Sequence, residues 1–189
     1  VCANTQDDDM DGLTDYPADF GCAAASSTSE VFCTLETDGT QVINMPTVTG
    51  TTTGKHNDFV PSCSSTSTAT DMTYALVLPV PVDTLTITTD NSAFDTVLSV
   101  QNASCSMSLA CNDESGATLH ASKVTLTNVA AGVYAVTVDG YQALDGAYFV
   151  NTKGIVASGT ACTSPLFAAG VLVCPAGQSC NATSGKCAP

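Results

Sequence analysis

Ten cysteines constrain this chain more than any other feature of its 189 residues. Their number is even, none stands in a C-x-x-C pair, and only two histidines accompany them, so the spacing of a zinc site is missing. We therefore predict up to five disulfide bonds, formed in an oxidising compartment. The cysteines are Cys2, Cys22, Cys33, Cys63, Cys105, Cys111, Cys162, Cys174, Cys180 and Cys187.

Position along the chain suggests some of the disulfide pairs. One pair is expected to bracket an acidic loop near the start, and another to close a short loop in the middle of the chain. The last four cysteines allow three connectivities, of which we favour the interleaved one. The predicted pairs are Cys2–Cys22, Cys105–Cys111, Cys162–Cys180 and Cys174–Cys187.

The middle of the chain alternates apolar and polar residues, as half-buried strands do. In the run 84–88, for example, Leu85 and Ile87 point one way and three threonines point the other. No helix of useful length is predicted. Similar runs lie at 42–43, 74–78, 98–100, 124–127, 134–138 and 147–150, with turn residues between them. Short strands at this spacing predict an all-β protein, a jelly-roll-like antiparallel β-sandwich with disulfide-rich terminal segments.

Composition divides the chain into three segments and marks its candidate modification sites. Residues 1–35 form an Asp- and Cys-rich head, residues 36–155 the sandwich, and residues 156–189 a Cys-rich tail. The stretches 47–54 and 62–70 are almost entirely Ser, Thr and Gly, and we expect exposed loops there that are open to O-glycosylation. Asn102 and Asn181 begin N-glycosylation sequons.

Eighteen acidic residues against four lysines give a formal net charge of −14. Nucleic-acid binding needs Lys and Arg for phosphate contacts, and an anionic membrane surface would repel this chain, so both partners are excluded. No apolar run approaches the about 18 residues of a membrane span. We expect a mature, processed form that is secreted, either extracellular or at the cell surface.

The strongest motif is the run of alternate aspartates that begins at Asp7. Ca²⁺ takes six to eight oxygen ligands, and alternate carboxylates in a tight loop converge on one point. An EF-hand would need a Glu at the twelfth position, where Ala18 stands, so Asp19 would have to substitute. The loop instead resembles the short calcium loops of thrombospondin type 3 repeats and dockerins. The predicted ligands of one Ca²⁺ are Asp7, Asp9, Asp11, Leu13 through its carbonyl, Asp15 and Asp19.

Catalytic machinery is not evident in the sequence. His56 and His120 are the only imidazole bases, and there is no G-x-S-x-G elbow. Asp95 and Asp113 could form a glycosidase-like carboxylate pair, but turn capping or a second cation site is the favoured interpretation. We therefore predict that the chain is not an enzyme.

Several runs in the central strands form a set that is specific in combination. They are Phe94-Asp95-Thr96-Val97-Leu98-Ser99-Val100, Cys105, Cys111-Asn112-Asp113-Glu114, Ala131-Gly132-Val133-Tyr134, Val138-Asp139-Gly140-Tyr141 and Gly146-Ala147-Tyr148. Over roughly residues 70–155 the chain thus resembles the bacterial pre-peptidase C-terminal domain. The resemblance implies a small, non-catalytic jelly-roll module of secreted proteins, often appended to exported enzymes and sometimes calcium-binding. Glu114 departs from the pattern, because Asp is common there.

Two functions fit these features. The first is a self-associating subunit, a homo-oligomer or homopolymer, of an extracellular fibre or surface layer. In it the apolar run 165–173 pairs either with an edge of its own sheet or with the next subunit. The second is a monomeric adhesion or glycan-binding module. Tyr141, Tyr148 and Phe59 would then offer stacking surface, although the chain has no Trp.

Overall fold

The computed structural model describes residues 1–8, 14–15, 19, 21–22, 25–28, 32–33, 38, 41–114 and 120–189. The chain folds as a sandwich of two β-sheets, as the alternation predicted. The elements in chain order are β1 (Gln41–Val42), β2 (Thr47–Thr51), β3 (Met72–Leu78), β4 (Val82–Thr88), β5 (Thr96–Asn102), β6 (Ser108–Asn112), β7 (Lys123–Val129), β8 (Gly132–Gly140), β9 (Ala147–Ile155), α1 (Pro165–Ala169), β10 (Leu172–Val173), β11 (Ser179–Asn181) and β12 (Lys186–Ala188).

The first sheet has the strand order β1-β3-β8-β5-β6, and its long strands are antiparallel. The second sheet has the order β10-β9-β4-β7. Strand β2 pairs with the first half of β9, and β10 runs parallel to the second half of β9. Strands β11 and β12 form a separate hairpin in the tail.

The core lies between the two sheets and follows directly from the alternation within each strand. In β3, Met72, Tyr74 and Leu76 face the second sheet and are almost completely buried. The hydroxyl groups of Tyr74 and Tyr148 lie 2.8 Å apart, so two buried phenols from opposite sheets satisfy each other. Gly50 is required beside them, since a Cβ atom there would lie 2.4 Å from the Tyr148 hydroxyl oxygen.

The Thr-rich stretch 47–54 is not a loop throughout, because residues 47–51 form strand β2. Threonine is β-branched and packs well on a pleated sheet, so a run of threonines suits an edge strand. Thr47, Thr49 and Thr51 point to solvent, and Val48 packs against the core. The second stretch, 62–70, does lack strands, but Ser64 and Ser67 within it are buried rather than exposed.

All ten cysteines are paired, and three of the four predicted pairs are present: Cys2–Cys22, Cys162–Cys180 and Cys174–Cys187. The predicted Cys105–Cys111 pair is wrong. Cys111 lies opposite Ser99 in the β5–β6 ladder, whereas Cys105 lies in the turn beyond Asn102. Three residues of strand separate the two levels by about 10 Å, which exceeds the reach of a disulfide. The observed pairs are Cys33–Cys105 and Cys63–Cys111.

These two disulfides hold chain segments over the outer face of the first sheet. The side chains of that face are small or polar, and most of them are buried, which permits a close cover. Cys33 packs there with Phe32, Ala75 and Ala135, and its N–H donates to the carbonyl of Ala103 at 2.9 Å. In the described part of the cover, loops rather than helices or strands close the outer face.

The apolar run 165–173 is used within its own domain. Its first part forms the short helix α1, which ends at Gly170 in the left-handed conformation. Leu172 in β10 is buried against the sandwich core and pairs with Gly154 of β9. Of the two alternatives for this run, the structure shows pairing with its own sheet edge.

Candidate functional site

Two regions of the molecule concentrate acidic side chains, and the first is the head. The Cys2–Cys22 disulfide brackets the predicted calcium loop, but Asp9, Asp11 and Leu13 lie outside the described residues. Asp15 accepts hydrogen bonds from the backbone N–H groups of Asn4, at 2.8 Å, and Thr5. The carboxylate of Asp15 therefore organises the described part of the loop.

Two further head carboxylates have defined partners. Asp19 is buried, and its carboxylate accepts the N–H of Gly21 at 2.6 Å. Asp8 bonds the N-terminal amine and the amide of Asn4, and these hydrogen bonds, the first of them foremost, lower its pKa. Asp7, the first predicted ligand, is half-buried.

The second acidic region lies at one end of the first sheet. Asn112 pairs with Leu98, which brings the next residue, Asp113, beside Val97. On the other side of β5, Val97 pairs with Asp139 of β8. The two aspartates therefore lie on the strands that neighbour β5, one on each side of Val97. Asp95 precedes Val97 by two residues and completes the group. We call Asp95, Asp113, Glu114, His120 and Asp139 the carboxylate cluster.

Within this cluster, ligand atoms lie close to one another. The Nδ1 atom of His120 is 3.3 Å from a carboxylate oxygen of Asp95. One ligand atom each of Asp95, Glu114 and His120 falls within 4.8 Å of the other two, a spacing that could hold a metal ion. The sequence indicated Asp95 and Asp113 as a pair, and the structure brings them together.

Burial shapes the electrostatics of the cluster. Desolvation is the main cause that raises the pKa of Asp139 to about 7. The neighbouring charges of Asp71 and Asp113 also raise this pKa, whereas a hydrogen bond from Ser67 lowers it. The pKa of Asp113 is also raised, mainly by burial and then by the charges of Asp95 and Glu114. Both carboxyl groups therefore bear a negative charge at a free-energy cost.

Sequence reasoning did not identify Asp139. It stands in the strand run Val138-Asp139-Gly140, on a strand whose other outward-facing residues are Val133, Ala135 and Thr137. An acidic residue in such a position is rarely buried without a partner. That signal was available from the sequence, but the ladder register is needed to see what surrounds the residue.

A third group of possible ligands, Asp38, His56 and Asp58, lies nearer the surface. The Nδ1 atom of His56 is 3.1 Å from Asp38, whose carboxylate also accepts the backbone N–H of His56. Partial burial opposes ionisation of Asp38, but these hydrogen bonds and the charges of His56 and Lys55 outweigh it and lower its pKa. The imidazole remains largely exposed.

An apolar groove of about 390 Å³ opens between β6 and β7, the edge strands of the two sheets. Met107 and Leu109 form one wall and the segment 126–130 forms the other. Asn102 lies at its end, where its side chain bonds the turn residues Ser106 and Met107. The first sequon is therefore part of a folded turn, whereas Asn181 is exposed and caps a turn through Thr183 and Ser184.

One of the predicted stacking residues is not available for stacking. Tyr148 is 1% exposed, because residues of β9 alternate and Tyr148 falls on the core side. Tyr141 is partly exposed and Phe59 is half-buried. A sugar platform of all three rings is therefore wrong.

In the described part of the chain, no helix combines the length and the apolar character needed to cross a membrane. No model of a known protein family matches the chain, and no curated protein matches it. A solved structure similar to this chain is the pre-peptidase C-terminal domain of a collagenase from Bacillus anthracis. The two are 14% identical over 60% of this chain and 94% of that domain, with a TM-score of 0.43.

Proposed function

We propose that this chain is a non-catalytic, secreted structural protein that self-associates into an extracellular fibre or surface layer. The observation that supports this most directly concerns the edge strands of the second sheet. Each has one side on which no further strand pairs with it in the described part of the chain. Among the described residues, β7 pairs only with β4, and β2 pairs only with β9. Unpaired backbone N–H and C=O groups along such a strand are a template for another chain.

The two open edges differ, which favours a head-to-tail contact. Strand β7 has seven residues and β2 has five, so β2 of one molecule can pair with β7 of the next. A contact between two different surfaces forms a closed ring only if the rotation between subunits closes. Otherwise it builds a filament. The groove beside β7 would bury apolar side chains in the same contact.

Disulfides and calcium would stabilise the subunit outside the cell. Five disulfides fit an oxidising environment. We propose that the head loop binds one Ca²⁺ through Asp7, Asp9, Asp11 and the Leu13 carbonyl. Calorimetric titration should show weaker binding in Asp9→Ala and Asp11→Ala than in the wild type, and equal binding in all three would contradict the site.

The non-catalytic part of the proposal is supported by the setting of both imidazoles. Each histidine contacts an aspartate, and both rings are more than half exposed. Every cysteine is in a disulfide, so no free thiol is available as a nucleophile.

Self-association can be tested with a matched pair of exposed apolar residues. Met107 in the groove is 55% exposed and Val60, outside it, is 53% exposed. Met107→Lys should abolish assembly in calcium, as seen by sedimentation and negative-stain microscopy, while Val60→Lys should leave it unchanged. A wild-type protein that stays monomeric at high concentration with calcium would overturn the proposal.

The groove also supports the second candidate, a monomeric adhesion or glycan-binding module. Its volume falls in the range of small-molecule sites, and its lining includes Asn102, Thr127 and Asn128 as polar groups beside the apolar ones. Monodisperse particles that bind on a glycan array, with loss of binding in Met107→Lys, would favour this function over the fibre.

A further inference from the structure

Three carboxylate oxygen atoms in the carboxylate cluster are buried without a hydrogen-bond partner among the described residues. They are Oδ1 of Asp95, Oδ1 of Asp113 and Oδ2 of Asp139. We propose that these three aspartates bind one divalent cation of the hard, oxygen-seeking class, Ca²⁺, with Glu114 at the rim. This site is separate from the head loop and lies on the outer face of the first sheet.

Asp139 carries most of the inference. The residue is 1% exposed, and its Oδ1 atom accepts hydrogen bonds from Ser67 Oγ, at 3.0 Å, and from the N–H of Gly140, at 2.6 Å. These bonds fix the carboxylate and leave Oδ2 unpartnered. A cation satisfies both the charge and the open coordination of this oxygen.

The described residues supply too little positive charge for the cluster. His120, on the rim, is the only basic side chain at ion-pair distance from one of the three aspartates among the described residues. Asp113 and Asp139 have no such contact in that part of the chain. Buried like charges at this spacing are costly unless a counter-charge enters, and the chain has only four lysines in all.

The strand register places Asp113 and Asp139 on either side of Val97. Neighbouring strands lie about 4.8 Å apart, so the backbones of Asp113 and Asp139, on either side of β5, are about 10 Å apart. Carboxylates that lean over Val97 from both sides can approach the about 5 Å that separates two oxygens on opposite sides of one Ca²⁺. Because the three proposed ligands are all carboxylates, Ca²⁺ is favoured over Zn²⁺, which prefers nitrogen and sulfur.

The first test counts bound ions. Calcium titration of the wild type, Asp113→Asn and Asp139→Asn should show one equivalent fewer in both variants. Asp83→Asn, an exposed aspartate in β4, is the matched control and should keep every equivalent. Repeating the series on an Asp9→Ala, Asp11→Ala background separates the cluster from the head loop, and the cluster variants should still lose one equivalent there. Equal stoichiometry in all proteins would overturn the proposal.

The second test compares thermal unfolding with and without calcium. In EDTA, Asp113→Asn should unfold at the same temperature as the wild type or higher, because the substitution removes like-charge repulsion. In calcium, the wild type should gain several degrees and the variant should gain less, by the share that the cluster contributes. A variant with the full calcium-dependent gain would argue against the site.

Discussion

The two faces of the first sheet are both buried, but by different means. The inner face presents large apolar side chains such as Tyr74, Leu98 and Val136 to the second sheet. The outer face presents Thr73, Ser99 and other small or polar side chains to loops. A second sheet can match an apolar surface continuously, whereas loops cannot, because their backbone groups need partners of their own.

The outer cover is therefore held by bonds of other kinds. Cys33 and Cys63, in the covering segments, are bonded to the β5–β6 hairpin. Asp71 accepts the N–H groups of Asp58 and Phe59, at 2.8 and 2.9 Å, and so fixes a second part of the cover. Covalent and charge-assisted bonds thus hold the cover over one face of the sheet, where buried hydrophobic area does so over the other.

Removing a disulfide from the outer cover should have the largest effect on stability. The double substitution Cys63→Ser with Cys111→Ser opens a loop of 48 residues and should lower the free energy of unfolding by about 4 kcal/mol. The matched tail variant, Cys174→Ser with Cys187→Ser, opens a loop of 13 residues and should cost about 3 kcal/mol. Denaturant unfolding measures both, and a smaller loss in the first variant would contradict the role of the cover.

Two substitutions in β5 should show that the two faces of the first sheet contribute differently to the free energy of unfolding. Leu98→Ala leaves a cavity between the sheets and should cost about 3 kcal/mol. Ser99→Ala, on the outer face of the same strand, should cost less than about 1 kcal/mol. Denaturant unfolding of the two variants gives the comparison. Similar losses would show that the outer face is packed as tightly as the inner one.

A pH dependence of the free energy of unfolding is also predicted for the outer face. The folded state raises the pKa of Asp139 from 3.8 to about 7, so between these pH values the folded chain binds more protons than the unfolded chain. In EDTA, the stability linked to Asp139 is therefore full below about pH 4 and is lost as the pH rises to about 7. The loss is at most about 1.4 kcal/mol per pH unit for this one proton.

Asp139→Asn should remove that part of the slope, whereas Asp83→Asn should keep it. The neighbouring titratable groups are Asp71, Asp95, Asp113, Glu114 and His120, and the raised pKa of Asp113 adds a slope of the same sign. Denaturant unfolding at several pH values in EDTA measures the difference. An unchanged slope in Asp139→Asn would show that burial of this carboxyl is not linked to folding.

The fold was predictable where alternation and burial coincide. Leu85 and Ile87 in β4 read as a strand because one face of that strand is apolar and the other is polar. The sequence predicts a loop in place of strand β2, because Thr and Gly count as polar in the alternation pattern, although threonine favours strands. The end-to-end arrangement of β2 and β10 along β9 depends on long-range pairing, which local patterns do not encode.

The candidate sites were predictable to the extent that their residues are adjacent in sequence. The acidic head motif is visible from Asp7 onwards because its ligands repeat every two residues. Asp139 and Asp113 come together only through the strand pairing on both sides of β5. The register of these strands therefore determines which residues form the carboxylate cluster. The same dependence explains the error at Cys105 and Cys111, which are close in sequence but lie at different levels of the hairpin.

The pattern of disulfides also fixes what a pulling force on the two ends of the chain can reach. Followed through its covalent bonds, the path from Val1 to Pro189 passes directly from Cys2 to Cys22, from Cys33 to Cys105 and from Cys162 to Cys180. Strands β3, β4 and β5 lie within the bypassed residues 34–104 and bear no tension. Strands β7, β8 and β9 lie on the loaded path, so mechanical extension of the sandwich would begin there and stop at a length set by the covalent bypass.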